Sequence, residues 1–446
     1  IGNSATTTLT LDGTVYKTGT GATDYEAKAG NTILLTGVSP TVTTGGGDLS
    51  FSTGNIVLSN AGTTTFTTGT GTGGNITVAA TIDGTDSENE ALVIESGSGN
   101  VQLQGAIGAT NPLTTITINS SGAGTVEVTN IGGGSAGATG AVNIGNSATT
   151  TLTLDGTVYN TGDTQTYTAA TGGGNIDITG AATFTTSADN IAFNTSGVDL
   201  VASVAITTGT GTNAGNISFG GAIEAGNAGT QTLTIDSGSG SVTFTGAIGL
   251  TNALGGLNVN ATAGDGAGVI TFSEDIGDAS AGVKGVTAVG NSSTAQIVFA
   301  EDTYTCDTGA TTFTATSGDN FDLTKGATTT FTTVGTDITF TTGAIALANG
   351  SNLVIDTGSG NGNITLGEIA GTSVETVTID AGAGTTSVGV IGTGTEIGVL
   401  QIGSSDNGAI TLNGAITTDG AVTIDGPVTL GADITVTTAE DASSFN

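Results

Sequence analysis

Residues 1–16 read IGNSATTTLTLDGTVY, and residues 144–159 read IGNSATTTLTLDGTVY again, letter for letter. An identity of this length, displaced by 143 residues, marks a chain built from repeats. Repeat chains form stacks in which each unit packs only on its neighbours. Further along, ESGSGNVQLQGAI (95–107) answers DSGSGSVTFTGAI (236–248), with a weaker copy, DTGSGNGNITLGEI, from Asp356. GNITVAATI (74–82) answers GNISFGGAI (215–223). The opening string returns in altered form at Val289 (VGNSSTAQIVF) and at Ile402 (IGSSDNGAITL). These echoes define blocks 1–143, 144–288 and 289–401 and a partial block 402–446, all within one continuous solenoid over 1–446.

The third block is short. Tyr25 and Phe66 are 41 residues apart, and their counterparts Tyr167 and Ile206 are 39 apart, but Phe313 and Phe331 are only 18 apart. A globular domain rarely survives such a loss from its middle, whereas a solenoid can drop one whole coil. The shortfall of 21–23 residues therefore sets an expected coil of roughly 20–23 residues, about 20 coils in all, with six or seven in each 143-residue block.

Composition supports an all-β chain. Gly accounts for 78 of 446 residues and Thr is very frequent, so strand formers alternate with turn formers. Hydrophobic content of 36% against 9% charged is the reverse of a disordered composition. Pro40, Pro112 and Pro427 are the only prolines, and no charged linker divides the chain. Lys17, Lys28, Lys284 and Lys325 face 38 acids, for a net charge of −34. Nucleic-acid binding needs cationic surface, so it is excluded as a function. No apolar run reaches the roughly 18 residues of a spanning helix, and no membrane insertion is expected. The charge is read as a solubility device that keeps like-charged segments dispersed.

Period-two alternation decides the architecture. Ile217-Ser218-Phe219, Val242-Thr243-Phe244, Ile338-Thr339-Phe340, Ile176-Asp177-Ile178 and Ile364-Thr365-Leu366 each put two apolar side chains on one side and a polar one on the other. Gly-Asn, Gly-Gly, Asp-Gly and Ser-Gly pairs punctuate these short strands. Sandwich domains would show repeats near 100 residues and larger aromatic cores. A parallel β-helix (β-solenoid) fits better, with apolar ladders inside, Thr outside, and Asn75 and Asn216 stacked at coil corners where Asp337 replaces them once. The termini fall inside repeats without polar caps, so the stack is expected to continue in the same polypeptide or end to end with other copies.

Little points to chemistry. With no His there is neither a nucleophile–His pair nor a His/Cys zinc set. GTGTGG (69–74) and the GGG runs at 45–47 and 172–174 lack the ending of a phosphate loop and read as turns. Carboxylate clusters could serve a glycosidase or hold calcium. The candidates are Asp83-Asp86-Glu88-Glu90, Glu274-Asp275-Asp278 and Glu301-Asp302, all in expected loops and read first as solvated turns. Tyr16, Tyr25, Tyr159 and Tyr167 would have to be exposed to stack on sugars, but they pair as repeat equivalents, which favours a structural role. Cys306, the only cysteine, is read as a small buried residue of TYTC (303–306). Asn-x-Ser/Thr sequons stand at Asn75, Asn119, Asn194, Asn216, Asn260, Asn291, Asn349 and Asn363.

The GNITF-like strands, LTIDSGSG turns and GAIG corners resemble the large bacterial β-strand-repeat surface proteins, such as filamentous-haemagglutinin-like adhesins and autotransporter passengers. The resemblance implies a right-handed parallel β-helix, an extracellular or cell-surface location, and a part in a fibre, sheath or adhesin shaft. The expected function is therefore structural and not enzymatic, with no cofactor and no catalytic or metal-binding residue assigned. Two alternatives stand beside it: a glycan-binding or glycan-cleaving β-helix with surface glycans as partners, and a calcium-dependent surface-layer protein.

Overall fold

A computed structural model describes residues 1–69, 71–85, 89–119, 121–209, 213–262, 268–278, 280, 282–318, 320–404, 408–439 and 443–445. Among these residues every regular element is a strand, most of three to five residues, and the chain is a parallel β-solenoid of about 17 turns. Contacts divide it into two compact units, Ile1–Gly209 with Ala214–Gly221, and Ala222–Asn446 with Thr210–Asn213.

In the first unit each turn contributes a strand or a single bridge to each of three parallel stacks. The first face runs through Thr8–Leu11, Thr32–Leu35, Asn55–Leu58 and Ile82–Asp83, then through single bridges at Ile107 and Ile131, to Val158–Asn160 and Thr183–Thr185. The second runs from Val15–Lys17 through Thr41–Thr43 and Thr63–Thr67 to Gln165–Thr168 and Ile217–Phe219. The third runs from Thr23–Glu26 through Leu49–Thr53 and Ile76–Val78 to Thr149–Leu154 and Gly197–Leu200. The second unit repeats the plan, with stacks that include Thr311–Thr314 on Ile338–Thr341, Gln296–Phe299 on Asn320–Leu323, and Thr328–Thr332 on Asn352–Asp356.

Alternation explains the burial. Parallel sheets usually read as continuous apolar runs because both sides are covered. Here only the inner side is covered, and all five alternating segments form strands with their apolar residues buried. Identical register from coil to coil lines like side chains up along the interior. Tyr167 stacks on Phe193 at 5.2 Å and Phe193 on Phe219 at 5.0 Å. In the second unit Phe244, Phe272 and Phe299 repeat the arrangement. Each such ring contributes about 1.5–3 kcal/mol by burial alone.

The expected count of about 20 coils is close to the observed 17, and the difference lies in coil length. Leu152 pairs with Ile176 and Ile176 with Val198, steps of 24 and 22 residues, but Leu257 pairs with Thr287, a step of 30. Strand length is set by the core width, so the corners absorb the variation. Where corners are tight, glycine is obligatory. A Cβ on Gly74 would strike the backbone of Gly47, and one on Gly99 the backbone of Gly74. Gly124, next in the column, also has a φ of +113°.

Candidate functional site

Three of the carboxylates singled out in the sequence meet in one place. At a corner of the second unit, Asp275, Glu301 and Asp302 bring one oxygen each within 4.8 Å of one another. The strand Thr303–Thr305 lies one coil after the bridge residue Ile276, which carries residues 301–302 over Asp275. Asp278 does not join them. It closes its own turn, accepting the Ser280 N–H at 3.0 Å. Asp83 lies in the first unit, on its first face, while Asp86 and Glu88 fall outside the described residues.

Three clustered carboxylates suit a hard cation or acid–base work, but here each already has a partner. Asp275 Oδ1 accepts the Thr303 N–H at 2.9 Å. Asp302 Oδ1 accepts the Thr303 hydroxyl at 3.0 Å. Glu301 is paired with the Lys325 ammonium, and its own N–H donates to Tyr304 Oη at 3.2 Å. Burial pushes the Asp275 carboxyl up, the Thr303 N–H opposes this, and the charges of Asp302, Glu301 and Glu274 add to the rise. The hydrogen bond that the Lys325 ammonium donates to Glu301 raises Lys325. The cluster thus carries its own countercharge.

The Asp275 contact belongs to a device used at many corners: a side-chain oxygen accepts the backbone N–H one coil on. Asp48 accepts from Asn75 (2.8 Å), Asn75 from Asn100 (2.9 Å) and Asn100 from Thr125 (2.9 Å). Asn190 accepts from Asn216, and Asp83 from Thr110. In the second unit Asp337 accepts from Asn363 (2.7 Å) and Asn363 from Thr385 (2.9 Å). The expected Asn stack is present at Asn75. Asp337 keeps the rung because only an acceptor oxygen is needed there.

Glu90 also departs from the reading as a solvated turn. It is 1% exposed and takes the Asn89 N–H at 3.1 Å and the Thr85 hydroxyl. Gln231 and Glu375 hold the same position, immediately before a strand, and are also buried. The signal was present as Gly-Thr followed by Glu or Gln ahead of alternating residues (GTDSENEAL, GTQTLT, GTSVETV). It was hidden because the intervening lengths differ.

The tyrosines are interior. Tyr25, Tyr159 and Tyr167 are buried and only Tyr16 is half-exposed, so the exposed aromatic platform required for sugar stacking is missing at these positions. Tyr159 Oη accepts the Gly156 N–H at 3.0 Å and donates to the Val128 carbonyl at 2.8 Å. Tyr167 donates to Gln165 at 2.9 Å. Burial raises both phenols. Cys306 is buried beside Thr287, and burial pushes its thiol up. Of the sequon asparagines, Asn119, Asn260 and Asn291 are buried and bonded inward, out of reach of a glycan. A groove of about 230 Å³ on the third face of the first unit is lined by Asn75, Thr77, Asn100, Gln102, Thr125 and Glu127, with no aromatic among its polar groups. Among the described residues no helix is long and apolar enough to cross a membrane.

Compared with known protein families, curated proteins and solved structures, the chain matches none.

Proposed function

We propose that this chain is a non-catalytic structural segment of an extracellular, cell-surface fibre, sheath or adhesin shaft, with further coils or further copies stacked on its ends. One observation carries the reading: the side chains best suited to chemistry are spent on the scaffold. Asp275 and Asp83 are corner rungs, Glu301 is neutralised by Lys325, and Tyr159, Tyr167 and Glu90 are internal staples. A stack held by main-chain ladders and side-chain registers serves as a stiff spacer, because each coil is braced on both sides. The excess of acids keeps neighbouring segments from clumping. Electron microscopy of the native assembly tests the proposal. Filaments or rods a few nanometres wide support it, and isolated compact particles overturn it.

A further inference from the structure

Glu375 is a buried carboxylate, 0% exposed, at the corner that leads into Thr376–Asp380. Its Oε2 accepts the Thr372 N–H at 2.6 Å and the Val374 N–H at 3.3 Å. Its Oε1 accepts the Thr372 hydroxyl and, from the corner of the preceding coil, the Gly350 N–H at 3.3 Å. Three of these partners are backbone N–H groups, which can only donate, and the Thr372 hydroxyl donates to the ionised form. A protonated carboxyl would turn an O–H toward them and lose one acceptor oxygen. The loop so held is strained: Ser373 has a φ of 83°, a left-handed conformation that costs a non-glycine residue about 1–3 kcal/mol. Val374, beside it, is 62% exposed.

We propose that Glu375 is an acid-sensitive latch: ionised, it holds the corner 371–375 closed on the corner 348–351; protonated, it releases that corner while the stacked strands stay paired. The surrounding charges leave the latch to act alone. Corner 348–351 and residues 371–374 carry no ionisable side chain. Glu368, on the strand entering the corner, lies on the half-exposed side of that strand. The following coil brings Glu396, which accepts the Ser373 hydroxyl at 3.0 Å. Its own backbone N–H and that hydroxyl hold it below the usual carboxylate range. Lys325, on the corner before 348–351, is committed to Glu301.

Burial pushes Glu375 up, but the Thr372 hydroxyl and the backbone N–H groups more than reverse this and hold it below the usual range. A carboxylate held low contributes stability above its unfolded value of about 4.3 and loses it as the pH falls through the lower folded value. The chain also contains a neutral counterpart. Gln231 stands at the same position before Thr232–Asp236, and its Oε1 accepts the Asn227 N–H at 3.2 Å. That corner has no proton to gain.

Residue-resolved amide hydrogen exchange on the intact chain, corrected for intrinsic rates, tests the latch. From about pH 6 to about pH 2.5, protection at Thr372 and Gly350 should fall at least about tenfold, while Ile379 in the strand and Asn227 at the glutamine corner keep theirs. Unchanged protection at Thr372 and Gly350 overturns the proposal, and so does loss in step with Ile379 and Asn227. Glu375→Gln retains one acceptor oxygen of two, so its corner should be open already at about pH 6 and indifferent to acid. Wild-type protection in that variant also overturns the latch. If the variant does not fold, the wild-type pH series decides alone.

Discussion

Leu9 and Leu152 are the same letter of the same sixteen-residue string, yet they lie on different faces. Leu9 pairs with Ile33 on the first face of the first unit, and Leu152 pairs with Ile176 on the third. Tyr16 and Tyr159 shift in the same sense, from second face to first, as do Phe66 and Ile206. Tyr25 and Tyr167 move from third to second, as do Ile76 and Ile217. The duplicated block is therefore not a whole number of coils. It advances five coils and two further faces, and the copy is turned by one face. All three faces ask the same of a sequence: two inward apolar residues, a polar one between them, and a corner. The exchangeable unit is one face with its corner.

Removal of a whole coil should consequently be tolerated. Deleting residues 152–175 brings Ile176 onto Val126, the partner that Leu152 has now. The shortened chain should keep its β-type circular dichroism and a single cooperative melt. A disordered product would contradict the nearest-neighbour description.

Close approach at the corners should make the glycine column intolerant. Gly99→Ala forces a methyl into the backbone of Gly74 and should cost about 1–3 kcal/mol. Gly71→Ala meets nothing within 4 Å and serves as the control. Urea midpoints of the two variants, read at equal m-value, make the comparison.

The corner rungs should distinguish acceptor from charge. Asn100→Ala removes the oxygen that takes the Thr125 N–H and should cost about 0.5–1.5 kcal/mol. Asn100→Asp keeps the oxygen and should melt close to the parent, as Asp48 and Asp337 already do this work.

Asp177 and Asp199 sit opposite each other on adjacent coils. Burial raises both carboxyls; the Asp199 charge adds to the rise at Asp177, while the Asn175 amide opposes it at Asp199. For acids held high, the folded state binds more protons than the unfolded one. Their contribution is thus favourable at acid pH and is lost as the pH rises from about 3.9 through the folded values. Asp177→Asn should stabilise the chain at neutral pH by about 0.2–1 kcal/mol and flatten stability against pH in that window. A thermal-melt series across pH reads both effects.

The aromatic ladder should be the most sensitive part of the core. Phe193 lies between Tyr167 and Phe219, and Phe193→Ala should cost about 3–5 kcal/mol in equilibrium unfolding.

Much of the fold was legible because alternation is local. Ile176-Asp177-Ile178 needs only its own backbone to declare which side is buried. Coil length was harder to read, because the deletion in the third block measures one coil, while corners elsewhere reach the 30-residue step at Leu257 and Thr287. The acidic site was half legible. The sequence grouped Asp275 with Asp278, its neighbour along the chain, while the stack grouped it with Glu301 and Asp302, a full coil away.

The repeat, the strands, the inward residues and the absence of His-based chemistry could all be read from the chain. Each follows from composition or from a period that a few consecutive residues carry. Folding was needed to show which face each copy occupies, that Glu90, Gln231 and Glu375 are one device, and that Lys325 neutralises Glu301. The cause is register. Contacts along this solenoid join residues some 18 to 30 apart, at an interval that every corner resets, and no local pattern records that interval.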